Sequence, residues 1–502
     1  MSHVKLTLHN AQTGVAVTGP SDLALSVIRQ ACSLQVKGFY RAKICADCGA
    51  ENYFRSFECR GDTPTGRCGS KRLIAKPVFK PQTFCYFLEN AMRFPTGWAG
   101  DISEGLQDAG IDVEIEDKRR NIEFLVDFPR AENIHPPRDY QQWALHAANT
   151  TQRGIIHNPC RSGKTVVAAH LINNYCVKTL VLVPSQDLLD QTSSVFKQYW
   201  PYHVGMIGDG IWAPNDITVA IPNSLWINRT KPKVKDLLSG IHMIIADEAH
   251  RVNRTTKGEA NMWFKLTQMC DAKLRFALTG SLTKEDLADF LLRGAFGRVI
   301  HEASVKELRD KGFLVDADVT MHKIKTPNFG EESAAYESGI CTNAERNRLI
   351  VKIAKQKAKE GKRTIVFVER IDKHGRPLNE AMLEAGIKVE FLNGRSGRGR
   401  RGAVKDAFID GEVQVVLTTV WGEGVDVPAC DVVIMAGAHK SFKSTVQKSS
   451  RPLTIAPGKN KGEIYDFMDD DGGVLLKHSK ERKRIYEKVG EFKVNIVDGS
   501  KA

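Results

Sequence analysis

From Arg138 onward, short apolar runs alternate with longer stretches in which apolar residues recur every three or four positions. Gly154–His157, Thr179–Val183, Ile217–Ala220, Met243–Ala246 and Arg275–Thr279 form one set of such runs. Thr364–Val368, Lys388–Leu392, Val413–Thr418, Asp431–Met435 and Glu463–Phe467 form a second. Runs of four to six apolar residues between amphipathic stretches read as strands buried on both faces, which is the pattern of a parallel sheet covered by helices. Lys325-Thr326-Pro327-Asn328-Phe329-Gly330 reads as a loop between the two sets. Ahead of them the pattern is different. Val4–His9 and Asp112–Glu116 alternate like half-buried strands, and helices are predicted around Ser21–Gln35 and Asp101–Ala109. His135-Pro136-Pro137 then interrupts the chain, since proline removes a donor and restricts the residue before it. The predicted fold class is α/β: an accessory domain over 1–130, a first parallel-sheet lobe over 131–320 and a second over 321–502.

One segment carries a definite chemistry. Asn158-Pro159-Cys160-Arg161-Ser162-Gly163-Lys164-Thr165 follows a predicted strand and opens a predicted helix. That is the setting of a phosphate loop, in which backbone N–H groups and a helix N-terminus face the phosphates. Lys164 would reach the β- and γ-phosphates of ATP, and the Thr165 hydroxyl would ligate Mg²⁺. Asn158 stands where the usual pattern has glycine. Further on, the run Ile241–Ala246 leads directly into Asp247-Glu248-Ala249-His250. Two carboxylates at a strand end can form an ordinary acidic turn. After a phosphate loop they read instead as Asp247 holding Mg²⁺ and Glu248 orienting the attacking water.

Asp247-Glu248-Ala249-His250 resembles motif II of the superfamily 2 helicases and translocases, and other segments resemble that family's motifs in its order. Arg138-Asp139-Tyr140-Gln141 resembles the adenine-recognising element, with Gln141 on the base edge and Tyr140 packed against it. Pro184-Ser185 resembles motif Ia, Thr279-Gly280-Ser281 motif III, and Ile365-Val366-Phe367-Val368 motif IV. Thr418-Thr419 through Gly424-Val425-Asp426-Val427-Pro428 is similar to motif V, and Gln447-Lys448-Ser449-Ser450-Arg451 to motif VI. The resemblance implies two RecA-like lobes. It places Gly424 and Asp426 at the nucleotide and Arg451 across the cleft from the γ-phosphate. Coupling of hydrolysis to movement falls to His250, Thr279, Gly280, Ser281 and Gln447. The implied DNA-facing residues are Pro184, Ser185, Asn223, Ser224, Thr418 and Thr419. Ser450 replaces the family's glycine, and Thr454 occupies its second arginine position. An arginine finger is worth about 10³–10⁵ in rate, so that departure raises the alternative of an ATP-gated clamp with little hydrolysis.

Composition sharpens the partner. The formal charge is +13. Residues 1–80 hold twelve Lys or Arg against five Asp or Glu, so over half of the surplus lies there. Such a surplus suits a polyanion, whose counterions are released on binding. Arg395, Arg398, Arg400 and Arg401 stand among glycines and are expected to form a phosphate-contacting loop. No run reaches the roughly 20 apolar residues of a membrane span. The first residues lack a secretory core, and the cysteine count is odd, at eleven. Both point to a reducing cytoplasm, a host's if the chain is phage-encoded. Cys45, Cys48, Cys59 and Cys68 have spacings suited to a closed tetrahedral Zn²⁺ site in an insert of the accessory domain. The order of accessory domain and two lobes resembles phage branch-migration helicases of the UvsW type. The expected function is ATP- and Mg²⁺-dependent remodelling of branched or partly single-stranded DNA. An RNA helicase and a double-strand translocase with little unwinding are the alternative enzymes.

Overall fold

The structure is a computed structural model. It describes residues 2–499 apart from 49, 54–57, 61, 65, 254, 256–259, 281, 283–285, 328–330, 422–426, 428–429, 439–440 and 457. The chain divides into two compact units. The first comprises Met1–Arg120 together with Val252–Phe264 and Lys284–Ala295, and the second holds the remainder.

In the first unit, Gln12–Thr18 pairs antiparallel with His3–Leu8, and Asp112–Asp117 runs parallel to His3–Leu8 on its other side. Val4 and Leu6 alternate inward, and with Ile28, Phe94, Trp98, Ile102 and Leu106 they form one core under the helices Asp22–Ala31 and Ala99–Asp108. The helix Asp286–Phe296 contributes to this unit although it lies far along the chain. Its Phe290 ring stands 4.3 Å from that of Trp98, whose indole N–H donates to the Phe290 carbonyl at 3.2 Å. The helix predicted over Ser21–Gln35 stops at Ala31. Ser33–Cys45 is instead a thirteen-residue strand paired along its whole length with Leu73–Cys85. This ribbon is about 40 Å long at the usual rise per residue.

In the second unit the two apolar sets build two separate sheets. The first has eight strands, with Thr179–Leu182, Ile217–Ala220, Met243–Ala246 and Leu274–Thr279 entirely buried. All its pairings are parallel except that of the edge hairpin Val204–Gly208 with Ile211–Ala213. Arg153–His157 lies beside Leu274–Thr279, with His157 level with Thr279, and Met243–Ala246 lies on the other side of Leu274–Thr279. The phosphate loop, Asp247-Glu248 and Thr279-Gly280 therefore leave the same edge of the sheet from three adjacent strands, the usual place for a ligand in an α/β fold.

The second sheet has seven parallel strands. It begins with Asp316–Lys325, which pairs with Lys461–Asp470 and Val494–Asp498. The predicted loop at Lys325 is thus the end of a strand, and the lobe begins a few residues before 321. Segment 395–402 also differs from expectation. Its glycines suggested a loop, but Arg398–Asp410 is a helix on which Val404 and Phe408 are buried.

A buried ion network crosses the second lobe. Arg346 donates to Asp469 at 2.6 Å and to the Ala436 carbonyl at 2.9 Å. Arg482 and the Tyr486 hydroxyl meet on one oxygen of Asp466, at 2.8 and 2.7 Å. The side chains of Asp466 and Arg482 have no solvent exposure. Removing one partner from such a pair leaves an unpaired buried charge and costs about 3–5 kcal/mol. Asp466→Ala is expected to lower the unfolding free energy of the second lobe, measured by urea denaturation, by that amount, and a loss below about 0.5 kcal/mol, as at an ordinary surface site, contradicts the reading.

Candidate active site

The phosphate loop is shaped by its own backbone and by one helix. Gly163, at φ 74°, caps the helix Lys164–Tyr175, and Arg161 is also left-handed at φ 71°. A Cβ on Gly163 would lie 2.8 Å from the Gln141 amide nitrogen, so glycine is required by both φ and space. Gln141 is almost fully buried. Its amide nitrogen donates to the carbonyls of Ser162 and Gly163 at 2.9 and 3.3 Å, while its oxygen accepts the Arg138 N–H at 2.8 Å. Tyr140 is wholly buried, and its hydroxyl donates to the Ser162 carbonyl at 2.5 Å. The sequence places these two side chains on the adenine. In the structure both brace the phosphate loop, Gln141 with its amide nitrogen, while its oxygen is taken by Arg138. Arg138 stacks 4.7 Å from the Phe313 ring, a partner 175 positions away that no local pattern reveals.

The charged centre lies at the strand ends. Lys164 Nζ is 4.0 Å from Glu248 and 3.4 Å from the Pro159 carbonyl. Burial pulls the Lys164 ammonium down, but Glu248, Cys160 and Asp247 together more than offset this and hold it above its usual range. Asp247 accepts the Glu248 backbone N–H at 2.9 Å. Burial and the neighbouring Glu248 push its carboxyl up, to about 6. Burial acts upward on Glu248 too, yet Lys164 and His250 outweigh it and keep Glu248 ionised, down at about 2. Glu248 has φ 49°, a left-handed strain of the sort that gathers at functional sites. His250 Nδ1 lies 3.2 Å from Glu248 and 3.3 Å from the Thr279 hydroxyl. A Cβ on Gly280 would meet the Cys160 nitrogen and sulfur at 2.9 Å, so Thr279-Gly280 rests directly on the phosphate loop. Thr165 is half-buried at the start of its helix. The donor set of Thr165 and Asp247 suits a hard, oxygen-liking cation such as Mg²⁺.

The second lobe reaches this centre through the turn Arg451–Leu453, in which Arg451 is buried. Ser450, whose hydroxyl donates to the Gln447 carbonyl at 2.8 Å, and Arg451 both lie close enough to the Cys160 thiol to oppose the upward push of burial on it. Gln447 is buried on the helix before the turn. The Thr454 hydroxyl is buried and has no partner among the described residues. Ser281, Gly424 and Asp426 lie outside the described residues.

The residues expected to face DNA divide into two groups. Asn223 is exposed and Ser224 half-buried on the helix Pro222–Ile227; Pro184 is half-buried, and Ser185 caps the helix Gln186–Tyr199 by accepting the Leu188 N–H. Thr418, by contrast, is fully buried, and its oxygen accepts the N–H groups of Val420 and Trp421. The Thr419 N–H donates to Leu392. The four arginines are paired with carboxylates: Arg395 with Asp372, Arg400 with Glu390, Arg401 with Asp187 at 3.0 Å, and Arg398 with Asp190 and Asp209. Arg398 and Arg401 therefore tie the second lobe to the first rather than standing in a free loop.

In the first unit, Cys45, Cys48, Cys59 and Cys68 converge at the end of the long ribbon, with all four sulfurs within 4.8 Å of one another. Cys45–Cys68 and Cys48–Cys59 are 3.8 and 3.4 Å apart. Four thiols this close, two of them buried, match a closed thiolate site for a soft or borderline cation.

Residues 134–284 match the family of type III restriction enzyme res subunits, and residues 345–454 the helicase conserved C-terminal domain. The chain is 25% identical over 383 residues to the DNA 3'-5' translocase XPB2 of Sulfurisphaera tokodaii, covering 68% of this chain and 83% of that one. It is 24% identical over 373 residues to the ATP-dependent DNA helicase uvsW of Enterobacteria phage T4, covering 69% and 71%. The structure of S. cerevisiae Dbp5 bound to RNA and ADP BeF3 shares the fold, with a TM-score of 0.53 at 16% identity over 72% of this chain and 90% of that one. Among the described residues no helix is long and apolar enough to cross a membrane.

The bracing of the phosphate loop makes a distinct prediction. Gln141→Ala is expected to weaken ATP and GTP binding by similar factors, because it releases the loop that both triphosphates share. A loss confined to ATP would return Gln141 to the base edge.

Proposed function

Because the chain belongs to the superfamily 2 helicases, ATP-dependent enzymes that act on nucleic acid, we propose that it uses ATP to remodel branched DNA such as forks, four-way junctions and displaced-strand loops. In this reading Lys164 and the backbone of the loop bind the triphosphate, and Glu248 orients and deprotonates the attacking water. Arg451 supplies positive charge where negative charge develops on the γ-phosphate. Mg²⁺, held by Thr165 and Asp247, would neutralise and polarise the phosphate oxygens. His250 bridges Glu248 and Thr279, which suits a residue that passes the state of the site to the neighbouring strand ends. Bound γ-phosphate favours the closed pair of lobes, and its loss removes that preference.

The observation that carries the branched-DNA reading is the ribbon. A motor that grips phosphates is indifferent to sequence and cannot by itself tell a junction from a plain duplex. A second basic surface on the same chain can, because only a branch presents two arms at once. The ribbon ends in the four-cysteine cluster, around which Arg60, Arg67, Lys71 and Arg72 are exposed. We assign to that cluster one structural Zn²⁺, which would hold these cations in place.

Two measurements test this. Metal analysis of the purified chain is expected to find one zinc, lost on Cys48→Ser with Cys59→Ser; zinc-free wild-type protein removes the site. The whole first unit cannot be deleted cleanly, since Phe290 packs against Trp98. Replacing residues 46–72 with Asn-Gly closes the ribbon across the Cys45–Leu73 pair with a two-residue turn. Junction affinity should then fall far more than single-strand-stimulated ATPase, and an unchanged preference for junctions over duplex and RNA controls contradicts the reading.

A second reading, the ATP-gated clamp, rests on Thr454 in the place of an arginine. If Arg451 suffices, wild-type protein releases phosphate in a DNA-stimulated way. Arg451→Ala should then lower turnover by about 10³-fold or more, with Thr454→Ala nearly silent. Absence of DNA-stimulated turnover in the wild type favours the clamp.

A further inference from the structure

The arginines that the sequence singles out are neutralised, but another group of cations is not. Arg229, Lys231, Lys233 and Lys235 follow directly on the helix Pro222–Ile227, and none has a carboxylate partner among the described residues. The three lysines are exposed and Arg229 is half-buried. Two tryptophans order the patch. The Arg229 guanidinium lies 4.2 Å from the Trp226 ring centre and also donates to the Trp226 carbonyl at 3.0 Å. Lys233 Nζ lies 4.1 Å from the ring centre of Trp212, on the edge strand Ile211–Ala213. An aromatic face fixes a cation without cancelling its charge, whereas a carboxylate cancels it. The pattern also works against the local helix. Lys233 and Lys235 stand in the first turn of Pro232–Gly240, which has no acidic residue there, and cations at that end oppose the helix dipole. Local stability therefore does not account for them.

We propose that Arg229 and Lys233, ordered by Trp226 and Trp212, together with Lys231 and Lys235 are a sequence-independent contact for the DNA phosphate backbone on the first lobe. The inference rests on the DNA-motor reading and extends its track. Asn223 and Ser224 begin the same helix that ends beside Arg229, so the patch continues the edge along which a strand would lie. Both rings already carry cations, so the patch binds phosphates and does not stack bases.

The test uses the full chain with all four residues changed to glutamine, and as a control Lys355→Gln, Lys359→Gln, Lys477→Gln and Lys480→Gln, four exposed lysines on other helices. Binding of fluorescent single-stranded and duplex DNA is measured across a salt series, with melting temperature as the check on folding. Each lost phosphate contact should flatten the plot of log affinity against log salt by about 0.9 on duplex and about 0.7 on single strands. The patch variant is thus expected to be shallower by up to about 3.6 or 2.8, with affinity reduced at least tenfold at moderate salt, while the control keeps the wild-type slope. Arginine at positions 231, 233 and 235 should restore the slope. If the patch variant and wild type bind with the same slope, the patch is not a DNA contact, although the motor reading stands. If wild-type protein binds neither DNA, the motor reading falls and the patch with it.

Discussion

The approach of Lys164 to Glu248, 4.0 Å apart at the end of a buried parallel sheet, is the interaction on which the rest of the motor depends. Burial disfavours the charged form of both. Each is kept charged by the other, and Glu248 also by His250. The sheet makes the meeting unavoidable. Lys164 follows the strand Arg153–His157, Glu248 follows Met243–Ala246, and Leu274–Thr279 lies between them and delivers Thr279-Gly280 onto the loop. An incoming triphosphate competes for Lys164. In the proposed mechanism the ammonium would turn to the phosphates and leave Glu248 to act on water.

Cations elsewhere serve two different ends. Arg398 and Arg401 face Asp187, Asp190 and Asp209 across the lobes, so their charge is consumed in holding two sheets together. Such pairs, part-exposed, are individually worth little and are screened by salt. That suits a contact which has to break and re-form as the lobes move. Arg229 to Lys235 keep their charge, which suits a surface whose partner arrives from solution.

What the sequence reveals here follows from how local the cause is. Met243–Ala246 is legible as a buried strand because its burial depends only on its own apolar run. The phosphate loop is legible because glycine, lysine and threonine act within a few bonds of one another. The ribbon is not, since Pro77 and Pro81 within Leu73–Cys85 argue against a long strand and its pairing partner lies across the cysteine loops. The 395–402 segment misleads for a related reason. Glycine suggests a loop, yet Arg398–Asp410 is held by Val404, Phe408 and by acids more than two hundred residues earlier. Gln141 was legible as belonging to the nucleotide site, but its contact with the loop carbonyls appears only when the two segments are folded together.

The central claim is that Glu248, kept ionised beside Lys164, is the group that activates water. The most direct test is Glu248→Gln, examined for ATP affinity and for single-turnover hydrolysis with DNA present. Affinity should stay near the wild-type value, because the amide leaves the loop and Lys164 free to hold the phosphates. The hydrolysis step should slow by about 10²–10⁴-fold, the usual worth of a positioned base. Hydrolysis at the wild-type rate by this variant would contradict the account.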